Sequence, residues 1–406
     1  MSICFYFHVH QPYRIKKYRI WNVGTDPFYF NDDGEGNLNN KKVLTKVAKK
    51  SYLPTNKVLF ELLKKYPKFK VSFSFTGVLL DQLEEFCPEA LKSFQKLVDT
   101  GRVEILAETY YHSLSFLFSK EEFRRQIALH CKKIKKLFGL RPKVFRNTEL
   151  IYNNDLAVEV EKLGYLGILA EGASHILGWR SPNYVYKPRG TKKIKLLLKN
   201  YKLSDDIAFR FSAKWWEEYP LTADKFASWI SAIHGSGQVV NLFMDFETFG
   251  EHQWEDTGIF EFLRHLPGKI LAHPDSTFVT PSEAVRLYEP VSELDVPDFI
   301  SWADVERDLS AWLSNPMQHE AINKLYELEE KVLHSKDKSL IEDWRRLQES
   351  DHFYYMCTKW FADGDVHKYF NPYNSPYDAF IYYMNVLNDL KLRIDNRVKE
   401  VVKESA

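Results

Sequence analysis

Short apolar runs of strand length recur through the first two thirds of the chain, at 3–7, 71–75, 103–107, 144–146, 167–170 and 239–244, with a weaker one at 195–199. Between them lie stretches with apolar residues at helical spacing, among them 56–65, 120–138, 156–163 and 223–234. Runs that are apolar throughout suit strands buried on both faces, as in a parallel sheet covered by helices. About seven strand–helix units within roughly 290 residues predict an α/β chain built as a β/α barrel. An open doubly wound sheet is the alternative. Its nucleotide-binding forms lose support, because no GxGxxG follows the first run and no GxxxxGK[ST] occurs.

The pattern changes after the acidic stretch bracketed by Pro290 and Pro297. Helical spacing of apolar residues over 304–313, 318–333, 339–348 and 377–401 predicts a helical domain, dividing the chain into 1–293 and 294–406. The longest polar segment, 31–50, reads as a loop after the first strand, and such loops lie over the active face of a barrel.

Charge narrows the choice of partners. The 56 Lys and Arg residues nearly cancel 55 Asp and Glu, leaving +1, so the uncompensated cations that bind nucleic acid are not indicated. No run approaches the roughly 18 apolar residues of a membrane span. The start, Met1 to Phe7 leading straight into His8 and His10, lacks the features of a signal peptide. A cytoplasmic protein is expected. Cys4, Cys87, Cys131 and Cys357 are scattered without a CxxC pair and read as free thiols. Aromatic residues make up 15% of the chain, which fits either a Phe-rich core or a cleft where rings stack on flat ligands such as sugars.

Ionisable residues at the ends of the apolar runs point to chemistry. The first run ends His8-Val9-His10-Gln11-Pro12, the third Glu108-Thr109-Tyr110-Tyr111-His112, and the fourth Arg146-Asn147-Thr148-Glu149. The fifth ends at Glu171-Gly172 and the last at Met244-Asp245-Phe246-Glu247. Such groups at the C-terminal ends of barrel strands converge on the catalytic face. Glu149 and Asp245 form a carboxylate pair of the kind glycosidic-bond chemistry uses, one nucleophile and one acid then base. Glu247, two residues on, would share a side with Asp245 in an extended strand. There it would either raise the pKa of Asp245 by like-charge repulsion or pair with an Arg or Lys. His8 and His10 also share a face. With His112 and His252 they could bind a metal, or they could hydrogen-bond ligand hydroxyls. The chain has no HExxH and no GxSxG elbow.

These segments resemble glycoside hydrolase family 57, most of all its α-amylase-like members. The resemblance rests on His8-Val9-His10-Gln11-Pro12, Thr76-Gly77 with Leu80-Asp81-Gln82-Leu83, Phe145-Arg146-Asn147-Thr148-Glu149-Leu150, Met244 to His252, and Phe278 to Ala284. Ser301-Trp302-Ala303-Asp304 extends it into the helical region. It implies an incomplete (β/α)7 barrel followed by a helical bundle that closes the cleft. It also implies a retaining mechanism on α-1,4-glucans or maltooligosaccharides through a glycosyl-enzyme, without a metal or other cofactor. Glu149 matches the nucleophile, Asp245 the general acid/base, and His8, His10 and Gln11 the residues beside the reacting sugar. His252 stands where some members carry a stacking Trp, and Asp81 where Glu is frequent. Some relatives lack a catalytic acid; here both positions are filled.

Further sugar contacts are expected from His112, Glu247 and His252, from the cluster Asp205, Asp206 and Arg210, and from Trp302 and Trp21 as stacking platforms. Trp179 and Trp254 lie in other loops, while Trp215, Trp216 and Trp344 are expected to pack against helices. Hydrolysis and transfer share one intermediate, so a 4-α-glucanotransferase or branching enzyme is the near alternative. A metal-dependent polysaccharide deacetylase, or an inactive glucan-binding homologue, is the alternative from another class.

Overall fold

The computed structural model describes residues 1–32, 34, 36–359 and 366–405. The chain parts into two compact units, one of residues 1–10, 44–108 and 127–302, the other of 11–43, 109–126 and 303–406.

Seven parallel strands frame the first unit. They are β1 (Ser2–Val9), β2 (Val71–Phe75), β3 (Val103–Ile105), β4 (Val144–Arg146), β5 (Gly167–Glu171), β6 (Lys195–Lys199) and β7 (Val239–Asp245). Every predicted run is a strand, the weak one included. One sheet runs β3-β2-β1-β7 and another β4-β5-β6. Ala107 joins them: its N–H donates to the Val144 carbonyl and its own carbonyl accepts from Arg146 N–H. At the far side no ladder forms between β6 and β7. Instead the Asn241 side chain donates to the Leu198 carbonyl at 2.9 Å, and Asn200 N–H donates to the Asn241 carbonyl. The order β6-β5-β4-β3-β2-β1-β7 thus curls into an incomplete (β/α)7 barrel.

The strands bury both faces, as their composition requires. All eight residues of β1 are buried. Tyr6, Leu106, Val144, Leu150, Leu169, Leu197 and Phe243 form a buried cluster against which Trp302 packs. A second cluster joins Phe7, Phe73, Phe75, Phe94 and Phe246, with ring centroids 4.9–5.7 Å apart. Each buried ring contributes about 1.5–3 kcal/mol, so most Phe in this chain serve the core. Helix starts follow capping chemistry. Thr76 caps Gly77–Phe86, Asn153 caps Asn154–Lys162, and Thr280 with Glu283 forms a capping box for Pro281–Leu287.

Where β5 ends, Gly172 passes so close to β6 that a Cβ there would run into the Lys199 carbonyl oxygen. We expect Gly172→Ala to lower stability by about 3 kcal/mol, read as a fall in the denaturant midpoint at unchanged slope. A change below about 0.5 kcal/mol would mean the strand ends move apart freely.

The second unit is largely helical, with Pro316–Tyr326, Glu329–His334, Lys338–Arg346 and Pro376–Ser405. Two segments from the first third of the chain belong to it. Asp389, buried on the long last helix, accepts from the Tyr29 hydroxyl at 2.6 Å and the Gly24 N–H at 2.5 Å. Arg345 grips Glu122 with two nitrogens at 2.7 and 3.2 Å. Trp344 is fully buried, its indole donating to the Leu325 carbonyl.

Some expectations need correction. No helix forms over 304–313: Asp304 and Arg307 take left-handed φ of 55°, and Asp304 is instead bound by His367 at 2.9 Å. The polar segment 31–50 is not loop throughout. Asn40–Val47 is helical, with Leu44 and Val47 buried, and residues 33 and 35 lie outside the described residues. Trp215 is exposed rather than packed. None of the cysteines forms a disulfide. Among the described residues no helix is long and apolar enough to cross a membrane.

Candidate active site

Strand register sets the geometry of the site. On β1, His8 pairs in register with Ser74 of β2 on one side and Asp245 of β7 on the other. Its Nδ1 lies 3.1 Å from the Ser74 hydroxyl, which also meets the Tyr6 hydroxyl at 2.6 Å, and 3.7 Å from Glu108. His10 stacks beside His8, centroids 5.8 Å apart, with Nδ1 on the Thr76 hydroxyl at 2.8 Å. His8 near the end of β1 and His10 just past it thus stand together, as expected.

Glu149 follows β4 in a short turn, Thr148–Leu150. Glu149 and Leu150 both adopt left-handed φ, 57° and 51°. Such conformations cost about 1–3 kcal/mol each for non-glycine residues and collect at functional sites. The surroundings hold this turn. Trp302 N–H donates to the Glu149 carbonyl at 3.2 Å, Asn147 Nδ2 donates to the Ile151 carbonyl, and Tyr152 and Ile300 exchange backbone bonds of 2.9 Å. The Trp302 indole Nε1 also donates to the Glu149 carboxylate at 2.7 Å.

Beneath these groups lies a set of buried charges. Arg146 and Glu108 are fully buried, 3.8 Å apart. Glu171 and Lys199 face each other in register, 3.5 Å apart, and Lys199 reaches Asp205 at 3.0 Å. Glu171 also accepts from Gly172 N–H at 2.8 Å. Arg146 and Lys199 stand over the Trp302 ring, 5.0 and 5.5 Å from its centroid. Arg146, Glu108, Glu171 and Lys199 went unassigned in the sequence. The signal was present, since Arg146, Glu171 and Lys199 end strands and Glu108 follows β3 by three residues, yet an isolated charge there does not reveal its partner.

Other expected contacts are placed differently. Glu247 does not continue the alternation of β7, because the strand ends at Asp245 and Phe246–Thr248 turns as a 3-10 helix. A partner of its carboxylate is the Tyr52 hydroxyl. His252 N–H donates to the Glu247 carbonyl, and burial pushes the imidazole pKa down to about 4, so the ring is neutral at pH 7. The cluster Asp205, Asp206 and Arg210 splits on the helix Tyr201–Ala208. Asp205 turns to Lys199, while Asp206 takes the Arg210 guanidinium at 2.7 Å. In the second unit, Gln11 accepts from Arg14 at 3.0 Å. Trp21 there is exposed with Arg19 over its ring, and buried His112 has φ of 48° and a carbonyl bonded by Ser350 N–H.

An incomplete seven-stranded barrel with carboxylates and imidazoles at its strand ends has the layout of a barrel enzyme, and the comparisons place it among the glycoside hydrolases. The sequence profile described as glycosyl hydrolase family 57 matches residues 4–297. A Methanocaldococcus jannaschii protein, provisionally named an α-amylase, is 46% identical over 417 residues, covering all of this chain and 86% of its own length. A Pyrococcus abyssi α-amylase is 25% identical over 63% of this chain, and the chain spans only 38% of that relative. The solved branching enzyme of Pyrococcus horikoshii shares the fold, with TM-score 0.68 at 18% identity over 91% of this chain and 87% of that one. The chain belongs to glycosyl hydrolase family 57.

Proposed function

We propose that this enzyme is a retaining hydrolase of α-1,4-glucans, of α-amylase type, with Glu149 as nucleophile and Asp245 as general acid/base. The observation that carries it is the presentation of Glu149 on a left-handed turn at the end of β4, its carboxylate already engaged by an N–H donor. A left-handed conformation costs a non-glycine residue about 1–3 kcal/mol and such strain collects at functional sites, which supports this reading. Asp245 ends β7 in register with His8, so the neighbouring strand ends supply both acid and imidazole.

In this mechanism the Glu149 carboxylate attacks the anomeric carbon while protonated Asp245 donates its proton to the departing glycosidic oxygen. The ionised Asp245 then takes a proton from water, which attacks the glycosyl-enzyme and frees Glu149 with net retention. His8 is oriented by the Tyr6–Ser74 hydrogen-bond chain, and His10 by Thr76, so both rings are set to meet sugar hydroxyls. The indole of Trp302, expected from the sequence to stack on sugar, donates to the Glu149 carboxylate.

The relatives with α-amylase names support the hydrolytic reading. Chromatography of products from a single defined maltooligosaccharide tests it. Shorter products with new reducing ends are expected. Longer products appearing with no net gain of reducing ends would make the enzyme a 4-α-glucanotransferase, and new branch points would make it a branching enzyme.

A further inference from the structure

We propose that Trp302 is a positioning residue for Glu149, its indole N–H aiming and holding the charged carboxylate, and not a platform for sugar stacking. The inference deepens the reading of Glu149 as nucleophile and rests on it. Three features carry it. The indole Nε1 lies 2.7 Å from Glu149 Oε2, the length of a charge-assisted bond. The main chain of Trp302 bonds the Glu149 carbonyl as well, so one residue grips both the strained backbone and the reacting group. Finally, Arg146 and Lys199 stand over the ring and the His8 ring centroid lies 6.2 Å from it, so two cations and an imidazole already contact the indole.

The same cations strengthen the donor. A positive charge over an indole face draws π density from the ring, which makes the N–H more acidic and its bond to a carboxylate tighter. Glu108 lies behind Arg146, and Glu171 and Asp205 behind Lys199, so the cations are held in place by their own counter-charges. Asp245 completes the charged groups at these strand ends.

Two variants of the full-length enzyme test the role, assayed on a defined maltooligosaccharide after thermal unfolding shows both to be folded. Trp302→Phe removes the N–H and shrinks the ring; 3-benzothienylalanine at 302 replaces only the N–H with sulfur. Both should lower kcat roughly 10- to 100-fold with KM within about threefold of the parent. The acid limb of the kcat/KM profile should move up by about one pH unit. The lost donor favoured the ionised carboxylate, so without it Glu149 protonates at higher pH. A benzothienyl variant with parent kcat and an unmoved acid limb, or with a loss confined to KM, overturns the positioning role. An active Glu149→Gln enzyme would instead strike the nucleophile assignment on which the role depends.

Discussion

Glu149→Gln is expected to lower kcat by about 10³- to 10⁵-fold, equivalent to about 4–7 kcal/mol of transition-state stabilisation. The amide has nearly the same shape, and its carbonyl oxygen can still accept from the Trp302 indole, so the left-handed turn should persist. Only the negative charge and the nucleophilic lone pair are removed. Stability should therefore stay within about 0.5 kcal/mol of the parent, which separates a chemical loss from a folding one. Rate measurements on a defined maltooligosaccharide read the first quantity and denaturant unfolding the second. Azide gives a further check with Glu149→Ala, whose vacated space should admit the anion and yield a glycosyl azide of inverted configuration. Retention of most activity in Glu149→Gln would sink the assignment.

The largest stability effect should come from Arg146→Met. Arg146 and Glu108 are both fully buried and 3.8 Å apart, so each charge helps offset the other's desolvation where water cannot reach. Deleting one member of a buried pair typically costs about 3–5 kcal/mol, because the remaining charge loses its partner but not its desolvation cost. The double variant Arg146→Met with Glu108→Gln should lose less than the sum of the single changes, since no uncompensated charge is left. A cost below about 1 kcal/mol for Arg146→Met, or strict additivity in the cycle, would show that the pair is not coupled. The change also removes a cation from over Trp302, so activity should fall further than stability alone accounts for.

The strand runs were legible because strands buried on both faces are mostly apolar along their length, as in β1, where all eight residues are buried and only Ser2 and His8 are polar. Local chemistry was legible for the same reason of proximity. Thr280 and Glu283 form their capping box within three residues, and His8 and His10 share a face because the strand period is two. Where a third partner intervened, the pattern misled. The apolar spacing at 304–313 suits a helix, but the bond from Asp304 to His367 and the left-handed residues Asp304 and Arg307 hold a different path. Polar composition hid the helix Asn40–Val47, which buries Leu44 and Val47 together with Asn40.

Trp302 shows the same limit from the side of function. Along the chain it is an aromatic residue near a sugar-binding cleft; 153 positions separate it from the carboxylate it bonds. Most Phe belong to the core, as in the Phe7–Phe73–Phe246 cluster, but the task of a single indole depends on what meets its N–H and its faces.

Periodicity and motif content thus set the barrel, its strand ends and the two candidate acids, because each depends on neighbours within a few residues. Folding alone decided which charge meets which: Arg146 with Glu108, Lys199 with Glu171 and Asp205, Glu247 with Tyr52, Glu149 with Trp302. Those pairings join different strands and loops, and Coulomb and hydrogen-bond energies fall off within a few ångströms, so only the closed barrel brings them into range.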